Sequence, residues 1–243
     1  MTIDLSPVFV PKAADVLAEQ LREQILRGAI SEGTALPNER DLSIQTGLSR
    51  VSVREALRIL EIEGLIETRI GRNGGSQVVR PSSSKVERSI GIFIRGQRIR
   101  FEAVLEAREA VEPQAARLAA IHHTESDWQA LQASHGQIAA SGEDIPKFLA
   151  ANLAWHMAVV RASGNELLIA FASAISHSIY EATDLEGFNS IEVRLAVIRA
   201  HQKVMDAIAA RDGDAAARRM GRHVGAYVRS VAERPTPHNK DKP

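Results

Sequence analysis

Gly47-Leu48-Ser49-Arg50-Val51-Ser52-Val53-Arg54-Glu55-Ala56-Leu57-Arg58-Ile59-Leu60 is the stretch whose pattern decides the fold. Val53, Ala56, Leu57 and Leu60 stand at i, i+3, i+4 and i+7, the spacing of one buried helix face. Arg50, Arg54 and Arg58 stand at i, i+4 and i+8, a line of guanidiniums on the outer side. Ser49 is a capping residue for such a helix and Gly64 a stop. Just upstream, Asn38 can cap a short helix over Glu39–Thr46 that ends at Gly47, after the Gly/Pro-punctuated connection Gly33–Pro37. Earlier still, Leu17, Leu21 and Ile25 recur at helical spacing before Gly28. Downstream, Leu65–Ile70 and Ser76–Val79 can pair as a hairpin around Gly71–Gly75, where Asn73-Gly74 is a turn signal. Three helices followed by a two-stranded wing predict a winged helix-turn-helix domain over residues 1–80.

Beyond that stretch the composition changes. Of 36 alanines only six precede Pro81. Pro81-Ser82-Ser83-Ser84-Lys85 is polar and proline-led, which predicts a linker over residues 81–88. Helical patterns follow near Phe101–His122, Glu125–Ser141, Ile145–Ser163, Glu166–Ala182, Ile191–Ala210 and Asp214–Glu233, with Pro113 expected to kink or split the first. An all-α antiparallel helical bundle is predicted over 89–234, and a polar, disordered tail over 235–243. The fold class is mainly α.

The whole chain of 243 residues carries 30 basic and 30 acidic side chains and no cysteine. Absence of cysteine excludes a disulfide scaffold, thiolate metal ligands and cysteine nucleophiles, and favours a reducing, cytoplasmic setting. No apolar run approaches the roughly 18 residues that span a bilayer, so no membrane partner is expected. The charge balance conceals an asymmetry. Residues 1–39 hold three basic and six acidic side chains, whereas 40–80 hold seven basic, all arginine, and five acidic.

An arginine-striped helix after a helix and a glycine turn is suited to the major groove, where Arg bonds guanine edges or holds phosphates. Arg40 opens the preceding helix, Arg69 and Arg72 lie on the wing beside glycines, and Ser49 and Ser52 offer short hydroxyls to phosphate. The alternative is a solvated face neutralised by Glu55, Glu61 and Glu63. Leu36-Pro37-Asn38-Glu39-Arg40-Asp41-Leu42, then Gly47–Leu57, then Leu60-Glu61-Ile62-Glu63-Gly64-Leu65-Ile66, resemble the amino-terminal domain of GntR-type bacterial transcriptional regulators. The resemblance implies DNA contacts by Arg40, Arg50 and Arg54, with the wing over Gly71–Gly75 adding Arg72, Gly74 and Gly75. Arg72-Asn73-Gly74-Gly75 is longer and more polar than the commonest form of that wing.

In the bundle, Asn152 and His156 are i, i+4 on a stripe with Leu149, Leu153 and Val160. His201 precedes Val204, Met205 and Ile208, and His223 lies among Met220, Tyr227 and Val231. Three imidazoles and an amide oxygen from core stripes of three helices can converge on a divalent cation; each histidine taken alone also fits an ordinary core position. His122, His123, His135 and His238 fall outside the pattern, and His177 is intermediate. Arg108 lies on the apolar stripe of Val104, Leu105, Val111 and Ala115, which requires a partner: Glu112 at i+4, or an effector carboxylate. Arg194, seven residues before His201, shares its face.

Arg108-Glu109-Ala110-Val111-Glu112-Pro113, Asn152–His156, Gly164-Asn165, His201 with Asp206-Ala207-Ile208, and His223 resemble the FCD effector domain of the FadR-like branch. That resemblance implies a divalent ion, zinc or else nickel or another first-row ion, on His156, His201 and His223. The fourth position holds Asn152 where Asp is usual, which removes one negative charge. It further implies a ligand-responsive regulator that binds a palindromic operator as a homodimer and senses a small carboxylate, with Arg108 as an effector-binding residue; helix faces add Arg194, beside His201, and His177, on the Glu166–Ala182 helix, as further effector-binding candidates. Apolar residues near Ile90–Ile94 are candidates for the interface. Two alternatives remain: a metal-free domain binding a larger ligand such as an acyl thioester, and a three-histidine metal enzyme with a DNA-binding appendage. The second lacks an HExxH-type glutamate, because Leu153-Ala154-Trp155 separates Asn152 from His156.

Overall fold

The computed structural model describes residues 10–69, 75–182 and 190–232, without the side chains of residues 177, 181, 182 and 230–232. The chain forms two compact units, Met1–Lys85 and Val86–Pro243. The expected tail over 235–243 lies outside the described residues.

In the first unit α1 (Ala13–Leu26), α2 (Glu39–Thr46) and α3 (Arg50–Glu63) are followed by β1 (Ile66–Arg69) and β2 (Gly75–Val78). Local chemistry sets the boundaries. The Asn38 side chain accepts from Asp41 N, and that of Ser49 from Ser52 N, at the starts of α2 and α3. Gly47 and Gly64 end those helices in the left-handed conformation, at φ 70° and 83°, which glycine adopts without steric cost. Leu17, Leu21, Leu42, Val53, Ala56, Leu57, Leu60 and Leu65 are buried together, so the stripes of α1 and α3 make one core. β1 and β2 are antiparallel, with Ile66 opposite Val78 and Thr68 opposite Ser76. The wing has one more pairing than expected. Leu36 N donates to Ser76 O at 2.8 Å and Val78 N to Thr34 O at 2.9 Å, so the segment before α2 lies along β2.

The stretch expected as a linker is largely helical: α4 runs Ser83–Gly96. Its pattern was obscured by the polar, serine-rich opening. Lys85 instead donates its ammonium protons to the carbonyls of Glu61 and Ile62, in the last turn of α3. Ile90 and Ile94 pack against Val104, Ile175 and Ile179, whereas Ile92 and Phe93 are exposed. Half of the apolar stretch assigned to an interface is therefore partly buried within the bundle itself.

The second unit is an all-α bundle completed by α5 (Phe101–His122), α6 (Glu125–Ala140), α7 (Ile145–Ala162), α8 (Glu166–Ala182), α9 (Ile191–Ala209) and α10 (Gly213–Ala232). Pro113 does not split α5, which continues for 22 residues. Ala115, Ala116, Ala119 and Ala120 have no exposed surface. These small side chains let α5 lie against α7, α8 and α10, and Gly221 of α10 faces the Pro113 ring. Phe148, Trp155, Leu131, Ile138, Ile208 and Met220 fill the centre. Thr124 and Asp127 form a capping box at α6, and Asp144 and Ser190 cap α7 and α9.

Candidate functional site

On the helix-turn-helix unit, Arg40, Arg50, Arg54 and Arg58 are exposed. Their carboxylate partner is neither Glu55, Glu61 nor Glu63. Glu39, at the first position of α2, accepts both Nε and Nη2 of Arg54 at 2.9 and 2.8 Å and lies 3.7 Å from Arg50. The Arg54 hydrogen bonds hold the Glu39 carboxyl below its ordinary pKa, and Glu39 raises that of Arg54. Glu63 instead pairs with Arg22, and Glu61 accepts from Thr68 N. Only packing of α2 on α3 brings Glu39 to Arg54, fifteen positions on, so helical spacing could not identify it. Ser49 and Ser52 hydroxyls lie 2.9 Å apart, one donating to the other. Gly75 is exposed at the start of β2, while Arg72 and Gly74 lie outside the described residues.

In the bundle three imidazoles converge. His201 Nε2 lies 2.9 Å from His223 Nε2, which lies 3.3 Å from His156 Nε2. Nitrogen ligands ~2.0–2.1 Å from one tetrahedral ion stand roughly 3.3 Å apart. The geometry therefore fits a shared divalent ion. Burial pushes all three pKa values down: His156 and His201 below the ordinary histidine value, and His223 to about 3; Arg108 adds to each shift, and neighbouring imidazoles add to those of His201 and His223. Neutral imidazole is the ligating form.

The surrounding shell orients these rings. His156 Nδ1 donates to Glu112 Oε2 at 2.7 Å, which leaves Nε2 with its lone pair toward the other histidines. Arg108 Nε donates to Glu112 Oε1 at 2.6 Å. Burial alone would raise the Glu112 pKa, but Arg108 and His156 hold it far below the usual carboxylate range, so it is ionised. Trp155 stacks on His201, ring centroids 3.6 Å apart and planes within 8°. Asn152 Oδ1 is buried without a hydrogen-bond partner among the described residues, as is His201 Nδ1. An orphaned carboxamide oxygen at the predicted fourth position fits the donor set of a metal site.

A cavity of about 760 Å³ opens onto this cluster, lined by Arg108, Asn152, His156 and His223 among others. Arg108 pairs with Glu112, the first of the two partners weighed for it, and also lines the cavity. Arg194 is buried but does not line the cavity, whose wall on α9 is Val193, Ala196, Val197, Arg199, Ala200 and Lys203. It shares the inner stripe of His201, and the cavity lies along the neighbouring stripe. The His177 side chain is outside the described residues. Glu112 and Trp155 were not predicted as site residues. The i+4 spacing of Glu112 from Arg108 signals only the ion pair, since the second half of the carboxylate's role depends on α7.

Residues 103–226 match the FCD domain family and residues 13–74 the family described as bacterial regulatory proteins, gntR family. The chain belongs to the GntR family. It is 32% identical over 207 residues to an Escherichia coli K12 HTH-type transcriptional regulator, YieP, covering 83% of this chain and 87% of that one. The Glc operon transcriptional activator of E. coli K12 is also 32% identical, over 73% of this chain and 68% of the relative. The galactonate operon transcriptional repressor of the same strain is 29% identical, over 83% and 89%. A solved Streptococcus agalactiae GntR structure superimposes with TM-score 0.64 at 22% identity, over 89% of this chain and 99% of that one, which speaks for the fold. This GntR-family protein is accordingly a DNA-binding transcriptional regulator and not an enzyme. Among its described residues no helix is long and apolar enough to cross a membrane.

Proposed function

We propose that this regulator binds a palindromic operator as a cytoplasmic homodimer, and that a small carboxylate bound at the histidine cluster changes its operator affinity. Operator contacts are assigned to Arg40, Ser49, Arg50, Ser52 and Arg54, with Arg72, Gly74 and Gly75 from the wing. A two-fold protein matches symmetric half-sites, which is the argument for the dimer. His156, His201 and His223 would hold a divalent ion, zinc or alternatively nickel or another first-row metal, with Asn152 Oδ1 as a further donor. When bound, the ion supplies positive charge to an effector carboxylate. Arg108, neutralised in part by Glu112, presents its remaining N–H donors to the same ligand. Asn152 contributes no negative charge, so the site favours anions more than an aspartate would. Kinship to a galactonate operon repressor supports a sugar acid or related organic acid as effector.

The observation that carries this reading is the meeting of three imidazole nitrogens, His156 and His201 buried and His223 half-buried, at a cavity that His156, His223 and the partnerless amide oxygen of Asn152 line. Elemental analysis of protein purified without chelator should find about one divalent ion per chain. A carboxylate that raises thermal stability only in the metal-loaded protein should also release operator DNA. The volume of the cavity, about 760 Å³, favours a second reading, a metal-free site for a larger ligand such as an acyl thioester. Absence of metal, with thermal stability indifferent to chelator, supports that alternative and removes the metal assignment.

A further inference from the structure

The cavity has two charged ends. Its inner end holds buried Arg108 and His156 with half-buried His223. Its outer end holds Arg199 and Lys203, one turn apart on α9, and Arg219 and Arg222 on α10. No carboxylate lines the cavity among the described residues. None of the four outer cations forms an ion pair among those residues, and Arg219 donates instead to the Lys203 carbonyl at 2.5 Å. Like charges three or four positions apart on a helix destabilise it, and here two such pairs share one opening. The rest of the lining is largely apolar and includes Leu149, Leu153, Val197 and Tyr227.

We infer that the effector carries two separated anionic groups, a carboxylate at the imidazole end and a phosphate or second carboxylate held by Arg199, Lys203, Arg219 and Arg222. This rests on the effector site proposed above. The test is calorimetric titration of the metal-loaded full chain with gluconate, glucarate and 6-phosphogluconate, which share a skeleton and differ at one end, and with hexanoate and adipate. At least one dianion should bind roughly tenfold or more tighter than its monoanion, the scale of one charge-assisted hydrogen bond. Glucarate against 6-phosphogluconate tells carboxylate from phosphate. That preference should fall to near unity in Lys203→Ala/Arg222→Ala. Monoanions binding as tightly as dianions, or a preference surviving in the variant, overturns the two-anion assignment and leaves the effector site standing. If no probe binds, both fall.

On α3, Val51 stands near the pole of the face opposite Val53, Ala56, Leu57 and Leu60, beside Arg58 and on the far side of the arginine line from Arg50. It is 76% exposed. Exposed single apolar residues are ordinary; the position of this one, among the outward arginines of α3, is not neutral. An apolar side chain there meets base edges in the major groove, where thymine alone presents a methyl group. We infer that Val51 packs against the C5-methyl of a thymine in each half-site. An operator selected from random duplexes by the full chain, with each thymine replaced in turn by deoxyuridine, tests this. One replacement per half-site should weaken binding roughly three- to fivefold, the scale of one buried methyl, and have no effect on Val51→Ser. Silence at every thymine, or the same loss in Val51→Ser, overturns it. If Arg50→Ala also binds normally, the DNA face of α3 is misassigned as well.

Discussion

Replacing Glu112 by glutamine should damage folding and metal affinity by separate routes. Glu112 and Arg108 side chains are each 8% exposed. Removing one partner of such a buried ion pair costs about 3–5 kcal/mol, because a charge is left uncompensated. The glutamine oxygen can still accept from Arg108 Nε, which returns about 1.5 kcal/mol. The net loss is therefore about 1.5–3.5 kcal/mol, a fall in melting temperature of roughly 3–14 °C for a unit of this size. The amide NH2 cannot accept from His156 Nδ1, so the favoured tautomer reverses and the proton moves to Nε2. Metal affinity should drop about 10- to 100-fold, as for other orienting partners of ligating histidines. Denaturant unfolding of the metal-free protein reads the first effect, and competition against a chromogenic chelator the second. Unchanged values in both would mean that Glu112 neither compensates Arg108 nor orients His156.

Arg54→Ala should weaken specific operator binding about tenfold or more in a fluorescence anisotropy titration while leaving the circular dichroism spectrum unchanged; equal affinity removes Arg54 from the interface. Gly47→Ala, at φ 70° with open space around it, should destabilise the first unit by about 1 kcal/mol through backbone strain alone, measured by urea unfolding of that transition. The buried histidines predict early acid unfolding of the metal-free bundle. Their folded pKa values lie below the unfolded value, so the unfolded state binds more protons below about pH 6.5. Stability should decline by about 1.4 kcal/mol per pH unit for each fully coupled histidine as pH falls, and for His223 until about pH 3. A stability plateau from pH 6.5 to 5 contradicts the neutral assignment. In His223→Gln, that decline should be shallower.

What the amino-acid sequence determined by itself was everything set by short-range rules. The apolar spacing of Val53, Ala56, Leu57 and Leu60 placed α3, Asn38 and Ser49 marked helix starts, and Gly47 and Gly64 marked ends, because capping and backbone strain act within one turn. The family motif and the core stripes bearing His156, His201 and His223 were equally legible. Tertiary structure decided the remainder. α4 was hidden under a serine-rich opening, since its stability comes from Ile90 and Ile94 meeting distant helices rather than from local propensity. Glu39 reaches Arg54, and Glu112 reaches both Arg108 and His156, because helices cross there. Arg194 illustrates the limit most plainly. Periodicity put it on the face of His201, yet a cavity is bounded by several elements, and its wall fell one stripe away. A helical repeat specifies which residues share a face; which faces enclose a ligand depends on how the helices pack.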